Sequence, residues 1–271
     1  MEIKNHILSG SNVNKMVPSP NHSGEYANGD LDTVIMHYTA GPYKTSLRTL
    51  INPKVRASAH VIIDRDGTIT QLIPFNLMAW HAGNSYYKGR TGFNKYSIGI
   101  EMVNSGYLTK SGNIYRAWYG EAFNPSDVIE AIHRNSSSPQ FWHVYTPEQI
   151  DSAYDLVQAL IDEYGIKFIL GHEEIAPKRK MDPGPAFPLD KFRERLLGTS
   201  RDQDGTTELP DTGRIIASSL NIRSQPNSNA AKIAEPLTKG KKVVILDEHN
   251  GWYKVSVSVV GWVFGKYVDI S

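Results

Sequence analysis

The sequence predicts a mixed α/β domain, with a central sheet flanked by helices, followed by a small all-β barrel. Three observations predict it. Residues 33–39, Thr33-Val34-Ile35-Met36-His37-Tyr38-Thr39, form a continuous apolar run that ends in polar groups, the pattern of a buried central strand. A helix is announced by Thr146, Pro147 and Gln149, which together supply an N-cap, a proline at the first helical position and a capping box. Beyond residue 212 the chain turns into short β-rich runs separated by turn residues.

The elements follow in order. Residues 1–30 are polar and rich in Asn, Ser, Gly and Pro, and read as an irregular lead-in. The strand at 33–39 is followed by a short helix near residues 46–51. Residues 60–65 and 68–73 flank Asp66-Gly67, a strong hairpin signal. Residues 97–103 alternate, with Ile98, Ile100 and Met102 on one face and Glu101 on the other. Residues 104–143 are polar, aromatic and aperiodic, and too long for a plain connection. They read as a functional insertion or a substrate-side loop.

The helix at 146 carries the apolar stripe Ile150, Tyr154, Val157, Leu160, Ile161 and Tyr164, and Gly165 ends it. Residues 168–170 form a short buried strand running into Gly171-His172. A Pro- and charge-rich loop covers 173–188, and 189–197 is the last helix of the domain. The domain is thus 1–198, with its core from about residue 30. Residues 199–212 are a polar linker, and 213–271 carry the barrel strands at 242–246, 252–257 and 261–263.

Composition narrows the chemistry. The net charge of +1 provides no broad basic field for nucleic acid or an anionic membrane. With no cysteine, disulfides and thiolate ligands are excluded, so a metal would have to be held by His, Asp or Glu. Nine histidines are available. No stretch is long and apolar enough to span a bilayer, and the N-terminus lacks a signal-peptide pattern, so synthesis as a soluble protein is expected.

His37 ends one buried strand and His172 follows another, and ligand sites of open α/β sheets form beyond the carboxyl ends of strands. With Asp182 from the next loop they would make a three-ligand site that leaves a position for water, the arrangement of catalytic zinc. Each histidine read singly is equally a hydrogen-bonded strand-end residue. No HExxH is present, because His172-Glu173-Glu174 lacks the second histidine.

Five segments in order carry a resemblance: His37-Tyr38-Thr39, Ser58-Ala59-His60-Val61-Ile62 before Asp66-Gly67, Trp80-His81-Ala82-Gly83, Ser97-Ile98-Gly99-Ile100-Glu101, and Gly171-His172 with Asp182-Pro183-Gly184-Pro185. Over about residues 30–198 the chain resembles the type-2 N-acetylmuramoyl-L-alanine amidases, relatives of the T7-lysozyme-like amidases and peptidoglycan recognition proteins. The resemblance implies one Zn²⁺ per chain, held by His37, His172 and Asp182. It implies that Glu101 handles protons and Lys180 stabilises the oxyanion. His60, His81, Trp80 and Arg56 are assigned to substrate contact, or for the histidines to support of the ligands.

Leu220-Asn221-Ile222-Arg223-Ser224-Gln225-Pro226, Gly251-Trp252-Tyr253-Lys254-Val255 and Gly261-Trp262-Val263 resemble a bacterial SH3 domain. The expected partners are peptidoglycan or muropeptides, with no nucleic acid and no membrane span, acting as a monomer on the cell wall. The barrel is expected to hold the enzyme on the wall without taking part in cleavage. Two other classes remain open here: a non-catalytic peptidoglycan-binding protein, and another wall hydrolase such as a muramidase working through a carboxylate pair.

Overall fold

The apolar run at 33–39 becomes β1 (Thr33–Tyr38). In the computed structural model, which describes residues 1–198, 212–249, 252–257 and 260–270, it belongs to a five-stranded sheet. The other strands are β2 (Val61–Ile63), β3 (Ile69–Gln71), β4 (Ser97–Met102) and β5 (Phe168–Gly171), in the order β5-β1-β4-β2-β3. All neighbours are parallel except the β2–β3 hairpin. β1 and β4 are buried on both faces, which is why they read as apolar runs.

Val34 and Met36 of β1, with Ile98, Ile100 and Met102 of β4, face α2 (Pro147–Tyr164) and α4 (Leu189–Leu197). Ile62 on the other face packs under α1 (Tyr43–Leu50), and Ile35 packs against Ile175 of α3 (His172–Ile175). The architecture is therefore a mixed sheet with helices on both sides.

The capping box predicted at α2 is present. Gln149 N–H donates to Thr146 Oγ1 at 3.1 Å, and Thr146 N–H donates to Gln149 Oε1 at 3.2 Å. Gly165 closes the helix in the left-handed region at φ 64°. Such a cap stabilises a helix by about 1 kcal/mol. Gln149 is fully buried and its Nε2 also donates to Val103 O at 2.9 Å, which ties the helix start to the end of β4. The stripe is centred on Ile150, Ala153, Leu156, Val157 and Leu160, whereas Tyr154, Ile161 and Tyr164 are only partly covered. Each large aliphatic side chain buried there contributes roughly 1.5–3 kcal/mol.

Two segments differ from expectation. The lead-in is not irregular: Glu2–Lys4 pairs with Ile7–Ser9, and His22–Glu25 pairs with Leu77–Ala79. Of these early strand residues only Leu8 is fully buried in the main core, with Ile3 packed partly against it, so no periodic pattern announces the strands. The segment 104–143 is a five-stranded antiparallel sheet, not a loop. Its strands are Ala122–Phe123, Ile114–Arg116, Tyr107–Ser111, Pro139–His143 and Val128–Ile132, in that spatial order. These strands have two to five residues and share a small core of Leu108, Ala117 and Val128, so alternation has no room to show. The loop expected from 173 is helical through Ile175.

The barrel strands are Val260–Phe264, Trp252–Ser256, Lys242–His249, Thr212–Ile215 and Val268–Asp269. Val243 and Ile245 fill the barrel core, whereas Val244 and Leu246 turn toward α2 and join the core of the first domain. Thr212 Oγ1 donates to Asp151 Oδ1 at 3.0 Å, and Lys242 pairs with the same carboxylate. The barrel thus rests on the amphipathic helix. The linker expected at 199–212 falls, except for Thr212, outside the described residues. Among those residues no helix is long and apolar enough to cross a membrane.

Candidate metal centre

His37 lies near the carboxyl end of β1, and His172 is the first residue of α3, directly after β5. Because β5 and β1 are neighbouring parallel strands, both imidazoles emerge at the same end of the sheet. Asp182 comes from the turn that follows, next to a cis Asp182–Pro183 bond. All three are buried. The contacts form a tight triangle: His37 Nδ1 to His172 Nδ1 2.9 Å, His37 Nδ1 to Asp182 Oδ2 2.8 Å, and His172 Nδ1 to Asp182 Oδ2 3.0 Å.

The outer nitrogens show what this triangle is for, because their partners select the tautomers. His172 Nε2 lies 3.1 Å from the Ala82 carbonyl, which can only accept, and 3.3 Å from Arg179 Nη2, which can only donate; the shorter contact assigns the proton to Nε2 and leaves Nδ1 bare. His81 Nε2 lies 3.1 Å from the Ser97 carbonyl, so it too is the protonated nitrogen. His81 Nδ1 is then an acceptor, and His37 Nε2 donates to it at 3.0 Å. His37 Nδ1 is therefore also bare. Two nitrogen lone pairs and a carboxylate oxygen converge with no proton between them, an arrangement that a cation satisfies and water does not. The donor set of two imidazoles and one carboxylate suits zinc.

Electrostatics agree. Burial, and then the neighbouring His172, push His37 down to about 4, so its ring is neutral at pH 7.

Glu101 stands beside this triangle. It is the register partner of His37 across the β4–β1 pair, so the two side chains leave the same face of the sheet. Its Oε2 is shielded from solvent and has no hydrogen-bond partner among the described residues. Burial pushes the carboxyl up to about 8, Asp182 adds to the shift, and Lys180 opposes it. Lys180, half-buried two residues before Asp182, is near enough for its charge to act on His37 as well.

The remaining candidates are more dispersed. His81 lies beneath His37 as its hydrogen-bond acceptor. Gly99 makes room for it, since a β-carbon there would come within 2.4 Å of the His81 ring. His60 is fully buried, with Nδ1 accepting from Gly99 N–H at 3.0 Å and Nε2 donating to Leu77 O at 2.9 Å. Trp80 is half-buried and donates to Ser23 Oγ at 2.6 Å, and Arg56 is exposed on the segment after α1.

Four residues at the site were missed by sequence reasoning. Arg179 Nη2 donates to Ala82 O at 2.9 Å and Asn84 O at 3.0 Å, fixing the carbonyl that orients His172. Glu173 is buried and holds the Asp182 turn, with its N–H on Asp182 O at 2.8 Å and its Oε2 on Gly184 N at 3.1 Å. His133 Nε2 donates to Glu173 Oε2 at 2.6 Å, and Arg134 Nε pairs with Glu173 Oε1 at 2.8 Å. His133 and His143 match no motif in the sequence, yet both are buried. An acidic residue directly after a strand-end histidine was the only local signal for Glu173. His133 had none, because its partner lies 40 residues away.

A mixed parallel sheet with two imidazoles and a carboxylate converging past its strand ends defines an α/β protein with a buried donor set that could hold a metal ion. Residues 27–185 match the N-acetylmuramoyl-L-alanine amidase model, Amidase_2, and the chain belongs to that family. Residues 218–269 match the bacterial SH3 domain model. The chain is 32% identical over 177 residues to N-acetylmuramoyl-L-alanine amidase AmiD of Escherichia coli (strain K12), covering 62% of this chain and 54% of that protein. It is 37% identical over 141 residues to 1,6-anhydro-N-acetylmuramyl-L-alanine amidase AmpD of the same strain, covering 51% and 58%. It is 30% identical over 210 residues to AmpD of Enterobacter cloacae, covering 70% and 93%. The chain thus spans a little over half the length of the first two relatives and nearly all of the third.

Proposed function

We propose that this protein is a zinc-dependent hydrolase that cleaves the amide between N-acetylmuramic acid and L-alanine in peptidoglycan. The observation that carries this reading is the triangle of unprotonated donors, His37 Nδ1, His172 Nδ1 and Asp182 Oδ2, beside a carboxyl with an unpartnered oxygen. The family and the AmiD and AmpD relatives direct it to the muramyl–alanine amide.

Zinc held by these three residues would supply Lewis acidity toward the amide carbonyl and lower the pKa of water. The chain supplies the rest. Glu101 takes a proton from the attacking water on Oε2 and returns it to the departing alanine nitrogen. Lys180 meets the negative charge that develops on the carbonyl oxygen. His81 and the Ala82 carbonyl hold the imidazoles in the tautomers that present bare nitrogens.

We read the barrel as a wall-binding module, so that peptidoglycan is the partner of both domains. Digestion of purified sacculi followed by mass spectrometry tests the reaction. An amidase frees the L-alanine amine and leaves glycan chains intact. New reducing sugar ends would identify a muramidase instead, and an unchanged sacculus with tight binding would identify a non-catalytic binder.

A further inference from the structure

The antiparallel sheet at 107–143 does more than brace the Asp182 turn. Between it and the ends of β1, β2 and β4 lies a cavity of about 510 Å³. Its walls at Gly41–Tyr43 and Val103–Ser105 continue directly from the strands that bear His37 and Glu101. A parallel strand advances about 3.3 Å per residue, so the cavity opens roughly 10 Å beyond Glu101. We propose that this cavity is a saccharide subsite for the peptide-free part of a glycan chain. It would hold a neutral N-acetylated pyranose next to the muramic residue whose amide is cleaved. The proposal rests on the amidase reading above and adds where the glycan lies.

Three features select a sugar. The first is aromatic. Tyr43, Tyr119 and Phe123 line the cavity. Trp118 stands beside Tyr119, edge-on at 5.6 Å between ring centroids. Trp118 is 79% exposed, yet its Nε1 is pinned to Ala40 O at 2.7 Å, between His37 and the cavity wall. A large aromatic held rigid and open to solvent is a ready platform for an apolar ring face.

The second feature is a donor on a largely buried ring. His143 is 8% exposed, and its Nδ1 accepts from Ser105 N–H at 3.2 Å, so Nε2 carries a proton. That N–H meets no acceptor among the described residues, and the ring lines the cavity. It is suited to a sugar hydroxyl or an acetamido carbonyl.

The third is charge. Asp64, Glu121 and Asp127 line the cavity against a single cation, Arg65. Arg65 is already engaged, with Nη1 donating to Val144 O at 2.6 Å and Gln149 Oε1 at 2.9 Å. Carboxylates accept hydrogen bonds from hydroxyls but repel the acidic groups of a stem peptide. The opposite character appears around Arg179, beside His172, where Lys88, Lys178 and Arg179 line a separate groove. The peptide suits that basic flank, and the neutral glycan suits the acidic, aromatic one.

The test uses the full chain and chitotetraose, a peptide-free N-acetylglucosamine tetramer, with binding followed by calorimetry. Trp118→Ala and Tyr119→Ala remove ring faces from a surface position and a cavity wall. Each is expected to weaken chitotetraose binding about tenfold. Each should keep its zinc content and its turnover of a muramyl-peptide with a single sugar. Their kcat/KM on glycan-chain substrate should fall by a similar factor. Chitotetraose that does not bind the wild type, or binds both variants as well as the wild type, overturns the subsite. So do equal losses on the single-sugar and glycan-chain substrates. Variant-sensitive sugar binding by a protein that hydrolyses neither substrate upholds the subsite and sinks the amidase reading, so the two claims fail separately.

Discussion

Glu101 and His37 are register partners on adjacent parallel strands, and their side chains leave the same face of the sheet. One is a carboxyl whose shielded oxygen meets no hydrogen-bond partner among the described residues, and the other turns a bare nitrogen toward Asp182 and His172. Glu101→Gln keeps the shape and should keep zinc, while turnover falls by about 10²–10⁴. Lys180→Ala should also keep zinc and lose about 10²–10³. Metal analysis alongside rates on a muramyl-peptide checks both. Near-normal turnover in either variant removes that residue from the mechanism.

Purified protein should carry about one zinc per chain, and chelation should abolish activity until zinc is restored. His172→Ala should lose the metal, because two donors cannot close the site. Elemental analysis with activity measured before and after dialysis decides the point. Full activity in metal-free protein would end the zinc reading.

Glu173 links the Asp182 turn to the antiparallel sheet through His133 and Arg134. Glu173→Ala takes the carboxylate partner from the buried His133 imidazole and one of three carboxylates from Arg134, which keeps Glu174 and Asp190; this should cost about 2–4 kcal/mol of stability. Loosening the turn should also weaken zinc binding by about 10–100-fold. Denaturant unfolding and a competitive zinc titration measure the two effects. Lost stability with unchanged zinc affinity would confine Glu173 to a folding role.

Burial pushes His60 down to about 4 and His143 to about 3, whereas both titrate near 6.5 when unfolded. The unfolded chain therefore binds more protons below about pH 6.5, and stability falls as the pH drops from there toward 4. Each histidine contributes about 1.4 kcal/mol per pH unit within that window. Melting temperatures should hold nearly level from pH 7.5 to about 6.5 and fall from there to pH 5, and His143→Asn should flatten that fall. A flat wild-type profile would contradict the buried neutral state.

Truncation after Gly198 should spare cleavage of a small soluble muropeptide and slow digestion of insoluble sacculi. A second tethered site raises avidity by about 10²–10⁴ only on a polymer that presents both targets. Because Val244 and Leu246 pack on α2 and Asp151 holds Thr212 and Lys242, the truncated domain should also melt at a lower temperature. Paired rates on the two substrates, with a melting curve, check this. Equal losses on both would make the barrel a structural support for the catalytic domain.

Much of this protein could be read from local pattern. Strand β1, strand β4 and helix α2 declare themselves because burial on a sheet or along a helix imposes a period on the residues. The α2 cap was legible for the same reason, since Thr146, Pro147 and Gln149 interact within one turn. His37, His172 and Asp182 were legible as strand-end and loop residues that match a known motif, but their convergence was not. It depends on β5 lying beside β1, a pairing between residues more than 130 positions apart.

Tertiary structure alone decided the rest. The tautomers of His37 and His172 are set by carbonyls and a histidine brought from elsewhere in the chain. The sheet at 107–143 is invisible locally because its strands are too short to build a period, and its polar surface hides a small core. His133 becomes a buried support only once Glu173 folds against it. The run at 242–246 looked like one strand of an independent barrel. Its alternate side chains divide between two cores, and only the docked structure shows that both faces are buried. Sequence period reports which faces of an element are apolar, whereas the identity of the surface each face meets is a property of long-range packing.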